Sequence, residues 1–154
     1  MDRFSQTETL MSQPGRMNAA RFLSAHRVAR LATVSADGAP HIVPVVFAFD
    51  GKRVYIALDE KRKRVTPLRL QRARNIAANP RVALLVDDYS EDWRKLAWVR
   101  VDGIARILRR GKARAAAIAR LRAKYPQYRK MKLETRPVIE IVVKRVVEWE
   151  TEKE

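Results

Sequence analysis

Over most of the chain, apolar positions recur in short β-type runs separated by turn residues. The run Val28-Ala29-Arg30-Leu31-Ala32-Thr33-Val34 meets a turn at Ala36-Asp37-Gly38, and Ile42 to Phe49 follows before a second turn at Asp50-Gly51. Runs of this length joined at Asp-Gly read as hairpins. Arg53-Val54-Tyr55-Ile56-Ala57-Leu58 completes what the pattern predicts to be a three-stranded antiparallel meander. Further on, Arg81 to Val86 is a nearly continuous apolar strand, Leu96 to Leu108 a long alternating one, and Pro137 to Trp149 a β-branched last strand. Asp102-Gly103 falls inside the long strand and predicts a bulge or bend there.

Three segments change period. Asn18 is placed to cap a helix running to about His26, with Ala19, Phe22 and Leu23 on one face. Leu68, Gln71, Arg72, Asn75 and Ile76 fall at helical offsets, with Thr66 as the cap, Pro67 at the first helical position and Asn79-Pro80 as the stop. Gly111 to Lys124 is Ala-rich with Ile118, Leu121 and Tyr125 at helical spacing, and Pro126 closes it. Met1 to Pro14 shows no periodicity and is expected to form a flexible arm, leaving residues 15–154 as one domain. Six strands with consecutive hairpins favour a mainly β fold, an antiparallel barrel with flanking helices whose closure removes exposed edges. So narrow a barrel is filled by its own side chains, so a ligand has to lie against the wall or between subunits.

Charge changes the picture more than length does. The 154 residues include 33 Lys and Arg against 17 Asp and Glu, a net +16, and that self-repulsion calls for an anionic partner. The cations are also gathered. Eight lie between Lys61 and Val86 and eleven between Gly103 and Leu133, with no acid in either segment. Lys61-Arg62-Lys63-Arg64 sits between a strand and a helix N-terminus, where free N–H groups add to the cations in favouring a phosphate. Arg72, on that helix, is within reach of the same anion. Lys63, Arg64 and Arg72 are therefore read as ligand-binding, with plain solubility as the competing reading. For Arg62, Arg69 and Arg74 solubility is the preferred one.

Other chemistries recede. Without cysteine there is no disulfide and no thiolate nucleophile. Neither G-x-G-x-x-G nor G-x-x-x-x-G-K-[ST] occurs. His26 and His41 lack metal spacing, so no metal site is expected, and Asp87-Asp88 and Glu91-Asp92 read as a solvated loop. Trp93 and Trp98 stand beside arginines, which suits a flat anionic ligand, although for Trp98 a core or interface position is the preferred reading on these residues alone. No run reaches the roughly 18 apolar residues of a membrane helix, and Asp2 and Glu8 fall where a signal peptide needs an apolar run. A cytoplasmic protein is expected.

Four strings in order carry a resemblance: Arg30-Leu31-Ala32-Thr33-Val34 with Asp37-Gly38 and Pro40, then Pro44-Val45, then Asn75-Ile76 with Asn79-Pro80-Arg81-Val82, then Trp98-Val99-Arg100-Val101-Asp102-Gly103. From about Arg21 to Trp149 the chain resembles the pyridoxamine 5′-phosphate oxidase-like split β-barrel superfamily, and more closely its coenzyme F420-dependent branch. The resemblance implies a six-stranded antiparallel split β-barrel of the FMN-binding type. It also implies a homodimer with two cofactor sites at the subunit interface, occupied by FMN or F420. By position, the backbone of Val43, Pro44, Val45 and Val46 would pass the ring, with Tyr55 and Ala57 flanking it. Lys61, Lys63, Arg64 and Arg72 would hold the phosphate, and Trp93 and Arg94 would approach the ring or tail.

F420 carries a phosphodiester and an oligoglutamate tail, so a heavily basic groove suits it better than FMN. The expected activity is that of an F420H2-dependent reductase passing a hydride to a small organic substrate. An FMN-binding pyridoxamine phosphate oxidase-like protein or flavin reductase is the first alternative. The last strand ends close to Glu154, without the C-terminal extension of pyridoxamine phosphate oxidases proper, which weighs against the oxidase itself. A basic nucleic-acid-binding module is the second alternative, weakened because the aromatics do not alternate along one exposed strand as a stacking platform.

Overall fold

A computed structural model describes residues 17–59 and 67–152. The expected arm, Met1 to Pro14, and the cations Lys61, Lys63 and Arg64 lie outside the described residues. Asn18 caps helix α1 (Ala19–Ala25), its side-chain oxygen accepting from the Arg21 N–H at 3.1 Å. Then follow β1 (Ala29–Val34), β2 (Pro40–Val45), β3 (Ala48–Phe49), β4 (Arg53–Ala57), α2 (Gln71–Ala78), β5 (Arg81–Asp88), β6 (Ala97–Leu108), α3 (Lys112–Lys124), α4 (Pro126–Arg129) and β7 (Val138–Glu150).

The sheet order is β2-β1-β5-β6-β7-β4-β3, antiparallel throughout. This corrects the three-stranded meander. Ile42 to Phe49 is not one strand but two, β2 on β1 and β3 on β4, at opposite ends of the sheet order. Only Val46 and Phe47 separate them, so one bent stretch of chain joins both ends of the sheet and closes it. Counted as a single bent strand, it restores the six-stranded split barrel. A second correction concerns Pro67, which opens a single 3₁₀ turn (Pro67–Arg69) instead of the helix proper. The α-helix starts at Gln71, with no side-chain cap. Pro126 does end the Ala-rich helix, and it then starts α4 in the first-turn position proline favours.

Burial alternates along β4. Val54 and Ile56 point into the barrel with Leu31, Phe47, Leu84, Val101 and Ile141, whereas Tyr55 and Ala57 face a second core under α3, with Ile118, Leu121, Tyr125 and Tyr128. The expected bulge is present where β6 meets β7: Asp102 faces Arg145 and Gly103 faces Val143, so Lys144 has no residue opposite. Within the apolar last strand, Glu140 is buried and paired with Arg106 at 2.7 Å.

The seam between β2 and β3 is held from outside. The Tyr125 hydroxyl accepts from the Phe47 N–H at 3.1 Å, and its proton reaches the carbonyls of Phe47 and Arg27, both at 2.8 Å. Tyr125→Phe leaves the buried Phe47 N–H without that partner and is expected to cost about 1–3 kcal/mol. Thermal unfolding of the variant measures the loss, and an unchanged midpoint would mean the seam does not depend on this hydroxyl.

The outer face of β2, β1, β5, β6 and β7 mixes apolar and charged positions. The register puts Ile42, Ala32, Ala83, Leu85, Ile104, Val142 and Val147 there among Arg30, Arg81, Arg100, Asp102 and Arg145, and Ile42 and Ile104 are exposed at 65% and 37%. Among the described residues no helix is long and apolar enough to cross a membrane.

Candidate functional site

Beside the seam lies a cleft of ≈ 360 Å³. The end of β2 and the bend contribute Pro44, Val45 and Val46, and β4 contributes Ile56 and Ala57. Its polar members are Asp59 on the loop leaving β4, Arg72 on α2 and Tyr128 on α4. The bend is what makes the wall. A continuing β-ladder would occupy its backbone groups on both sides, whereas a strand leaving one neighbour for another leaves main chain facing the cleft.

Arg72 is brought here because α2 packs its opposite face inward. Ala73, Asn75 and Ile76 are buried, and Asn75 is locked by donating to Thr33 Oγ1 at 2.9 Å while accepting from Gln71 Nε2 at 2.6 Å. Arg72 is left on the cleft side. Its Nε is buried and has no hydrogen-bond partner among the described residues, and the same is true of the Tyr128 hydroxyl. Two buried donors without acceptors are costly unless a ligand or water meets them. Burial, then the nearby Asp59 carboxylate, push the Tyr128 hydroxyl far above the ordinary phenol range, with Arg72 opposing. Tyr128 therefore stays protonated and serves as a hydrogen-bond donor. Asp59 acts on it without reaching ordinary hydrogen-bond geometry.

Of the residues read from the sequence, the fold brings Pro44, Val45, Val46, Ala57 and Arg72 together around this cleft. Val43 packs against the barrel core and does not line the cleft. Tyr55 sits under α3 and donates to Asp50 Oδ2 at 2.9 Å, and burial with that carboxylate pushes its pKa up to about 12. It braces the Asp50-Gly51 turn and does not line the cleft. Trp93 and Arg94 lie on the β5–β6 connection; Trp93 is 69% exposed and Arg94 pairs with Asp92 at 2.9 Å, neither lining the cleft in the single chain. Trp98 lies opposite Trp149 on β7. His26 is structural: its ring nitrogens meet Phe22 O and Asp88 Oδ1, each at 2.6 Å.

The sequence reading missed Asp59 and Tyr128. Asp59 stands two residues before Lys61, and the acid pair Asp59-Glu60 bordering a cationic run is a signal that was available. Tyr128 carried none, since its place in the cleft depends on α4 folding back beside β4.

A family model for pyridoxamine 5′-phosphate oxidase matches residues 17–150. The chain belongs to this family. The family is named for an oxidase, a member of the oxidoreductase class. A 67-residue segment is 43% identical to a 5a,11a-dehydrotetracycline/5a,11a-dehydrooxytetracycline reductase of Streptomyces rimosus, the matched segment being 44% of this chain and 44% of that protein. The match thus spans less than half the length of that curated relative. Among solved structures, a conserved hypothetical protein of Mycobacterium tuberculosis has a TM-score of 0.71 at 24% identity, covering 92% of this chain and 91% of that one. A structure named F420 Reductase has a TM-score of 0.63 at 23% identity, covering 86% of this chain and 98% of its own. These two likenesses establish the fold.

Proposed function

We propose that the protein is an F420H2-dependent reductase that passes a hydride to a small unsaturated organic substrate at the interface of a homodimer. The observation that carries this reading is the pair of buried donors, Arg72 Nε and Tyr128 Oη, without partners among the described residues, at the polar end of a cleft walled by the bent main chain at Pro44 to Val46. A phosphorylated cofactor with a flat ring matches both features. Its phosphate meets the donors, and its ring lies against backbone groups that the strand break leaves available.

The residues present fit such a group. Arg72 and Tyr128 would hold the phosphate, Val45 and Val46 would pass the ring with their main chain, and Ala57 keeps the approach open by being small. When bound, the reduced deazaflavin supplies the hydride. The chain's part is to orient the substrate and exclude water, which needs positioning and electrostatics and no protein nucleophile.

F420 is favoured over FMN on charge. A surplus of +16 suits the ligand with more negative groups, since hydrogen bonds to charged groups contribute about 1.5–3 kcal/mol each. The name of the structure called F420 Reductase supports the same direction, and that of the Streptomyces rimosus protein supports a reductase. The exposed Ile42 and Ile104 on the outer face of the sheet offer apolar contacts for a second copy, and a cleft of ≈ 360 Å³ is at the low end of ligand pockets, about 300–1,000 Å³, as suits a site that a second subunit completes.

Equilibrium titration with F420 and FMN at about 0.15 M salt, an ionic strength that screens exposed charges beyond about 8 Å, is the test. F420 is expected to bind more tightly. Failure to bind either removes the oxidoreductase reading, and a yellow protein that releases FMN on denaturation transfers it to the flavin alternative.

A further inference from the structure

The cleft contains one group that a simple anion site would exclude. Asp59 lines it together with Arg72 and Tyr128, so a carboxylate shares the space with two buried donors that have no partner among the described residues. A phosphate seated on Arg72 Nε and Tyr128 Oη lies in the field of Asp59 as well. The donors act through hydrogen bonds that any phosphate oxygen can accept. The carboxylate acts through charge, and its repulsion grows with the charge of the ligand. A phosphomonoester carries about −1.5 to −2 at neutral pH, whereas a phosphodiester carries one negative charge.

We propose that Asp59 is a specificity-determining residue of this cleft, selecting a singly charged phosphodiester over a doubly charged phosphomonoester at the seat formed by Arg72 and Tyr128. The inference deepens the cofactor reading above and rests on it. It gives the chain a means of separating F420, whose linkage is a diester, from FMN, whose terminus is a monoester, that does not depend on ring chemistry. It also accounts for an acid at the mouth of a basic segment. Surplus cations attract every phosphate, and a fixed negative charge beside the donors restores discrimination by penalising the second charge.

FMN and its monomethyl ester provide the test, because they share ring, ribityl chain and phosphorus and differ by one charge. Their dissociation constants are measured by fluorescence quenching on the full chain and on Asp59→Asn, with riboflavin as the uncharged control. The amide preserves the shape and removes the charge. Because the repulsion doubles with ligand charge, Asp59→Asn is expected to tighten the ester about threefold and FMN by about the square of that, roughly tenfold, with riboflavin unchanged. Tyr128→Phe is expected to weaken FMN and the ester equally, again sparing riboflavin.

Equal gains for FMN and the ester in Asp59→Asn, no gain at all, or an FMN still undetectable after the charge is removed would each overturn the proposal. So would a riboflavin affinity that moves in step with the other two, which would place Asp59 in shaping the cleft. Wild-type protein that binds neither F420 nor any flavin fails at the proposed function itself. Wild-type protein that binds F420, with an Asp59→Asn variant that leaves the FMN-to-ester ratio where it was, fails only here.

Discussion

Gly103→Ala is expected to destabilise the fold by about 3 kcal/mol, the upper part of the range for overpacking a filled core. A Cβ at residue 103 would lie 2.5 Å from Ile141 Cγ2 and 2.6 Å from the Val142 carbonyl oxygen. Neither neighbour can give way easily: Ile141 is fully buried in the barrel, and the carbonyl belongs to the β7 backbone just before the bulge. The glycine is required by this close approach and not by a left-handed backbone. For a domain of this size the midpoint of thermal unfolding should fall by roughly 6–12 °C. A variant that melts with the wild type would show that β6 and β7 separate at the bulge at no cost.

The second large effect falls on binding. Arg72→Ala is expected to weaken F420 by roughly tenfold to a hundredfold, the loss of one hydrogen-bonded charge pair of about 1.5–3 kcal/mol. The midpoint of unfolding should hardly move, because the side chains that anchor α2 are Ala73, Asn75 and Ile76 on its other face. Arg74→Ala, on the exposed side of the same helix, serves as the control and is expected to bind F420 as the wild type does. Equal losses in both variants would mean that the chain uses its cations as a diffuse field and has no defined seat at Arg72.

Much of the fold could be read from residue patterns, because those patterns report local geometry. Asn18 capped the first helix as its side chain predicts, Asp102-Gly103 marked a real bulge, and the apolar runs at Arg81 and Pro137 became buried strands. The bend at Val46-Phe47 could not be read. Ile42 to Phe49 is continuous in β propensity, and its division depends on β1 and β4 lying on opposite sides of it and on the Tyr125 hydroxyl reaching it from a helix 78 residues away. The site divides in the same way. Arg72 announced itself by charge and position, and Pro44 to Val46 by resemblance. Tyr128 did not, because an aromatic after a helix-ending proline has no mark of a ligand residue until α4 packs beside β4.

Periodicity, turn residues and the gathering of cations are properties of neighbouring positions, and from them the chain alone determined a small antiparallel barrel, the helices that flank it and a basic segment suited to phosphate. Which groups share a cavity is a property of distance in space. Only the closed barrel decided that Asp59, Arg72 and Tyr128 surround one cleft, that Val43 and Tyr55 do not line it, and that two donors are buried there without partners among the described residues, since each of these depends on contacts between segments whose separation along the chain carries no local signal.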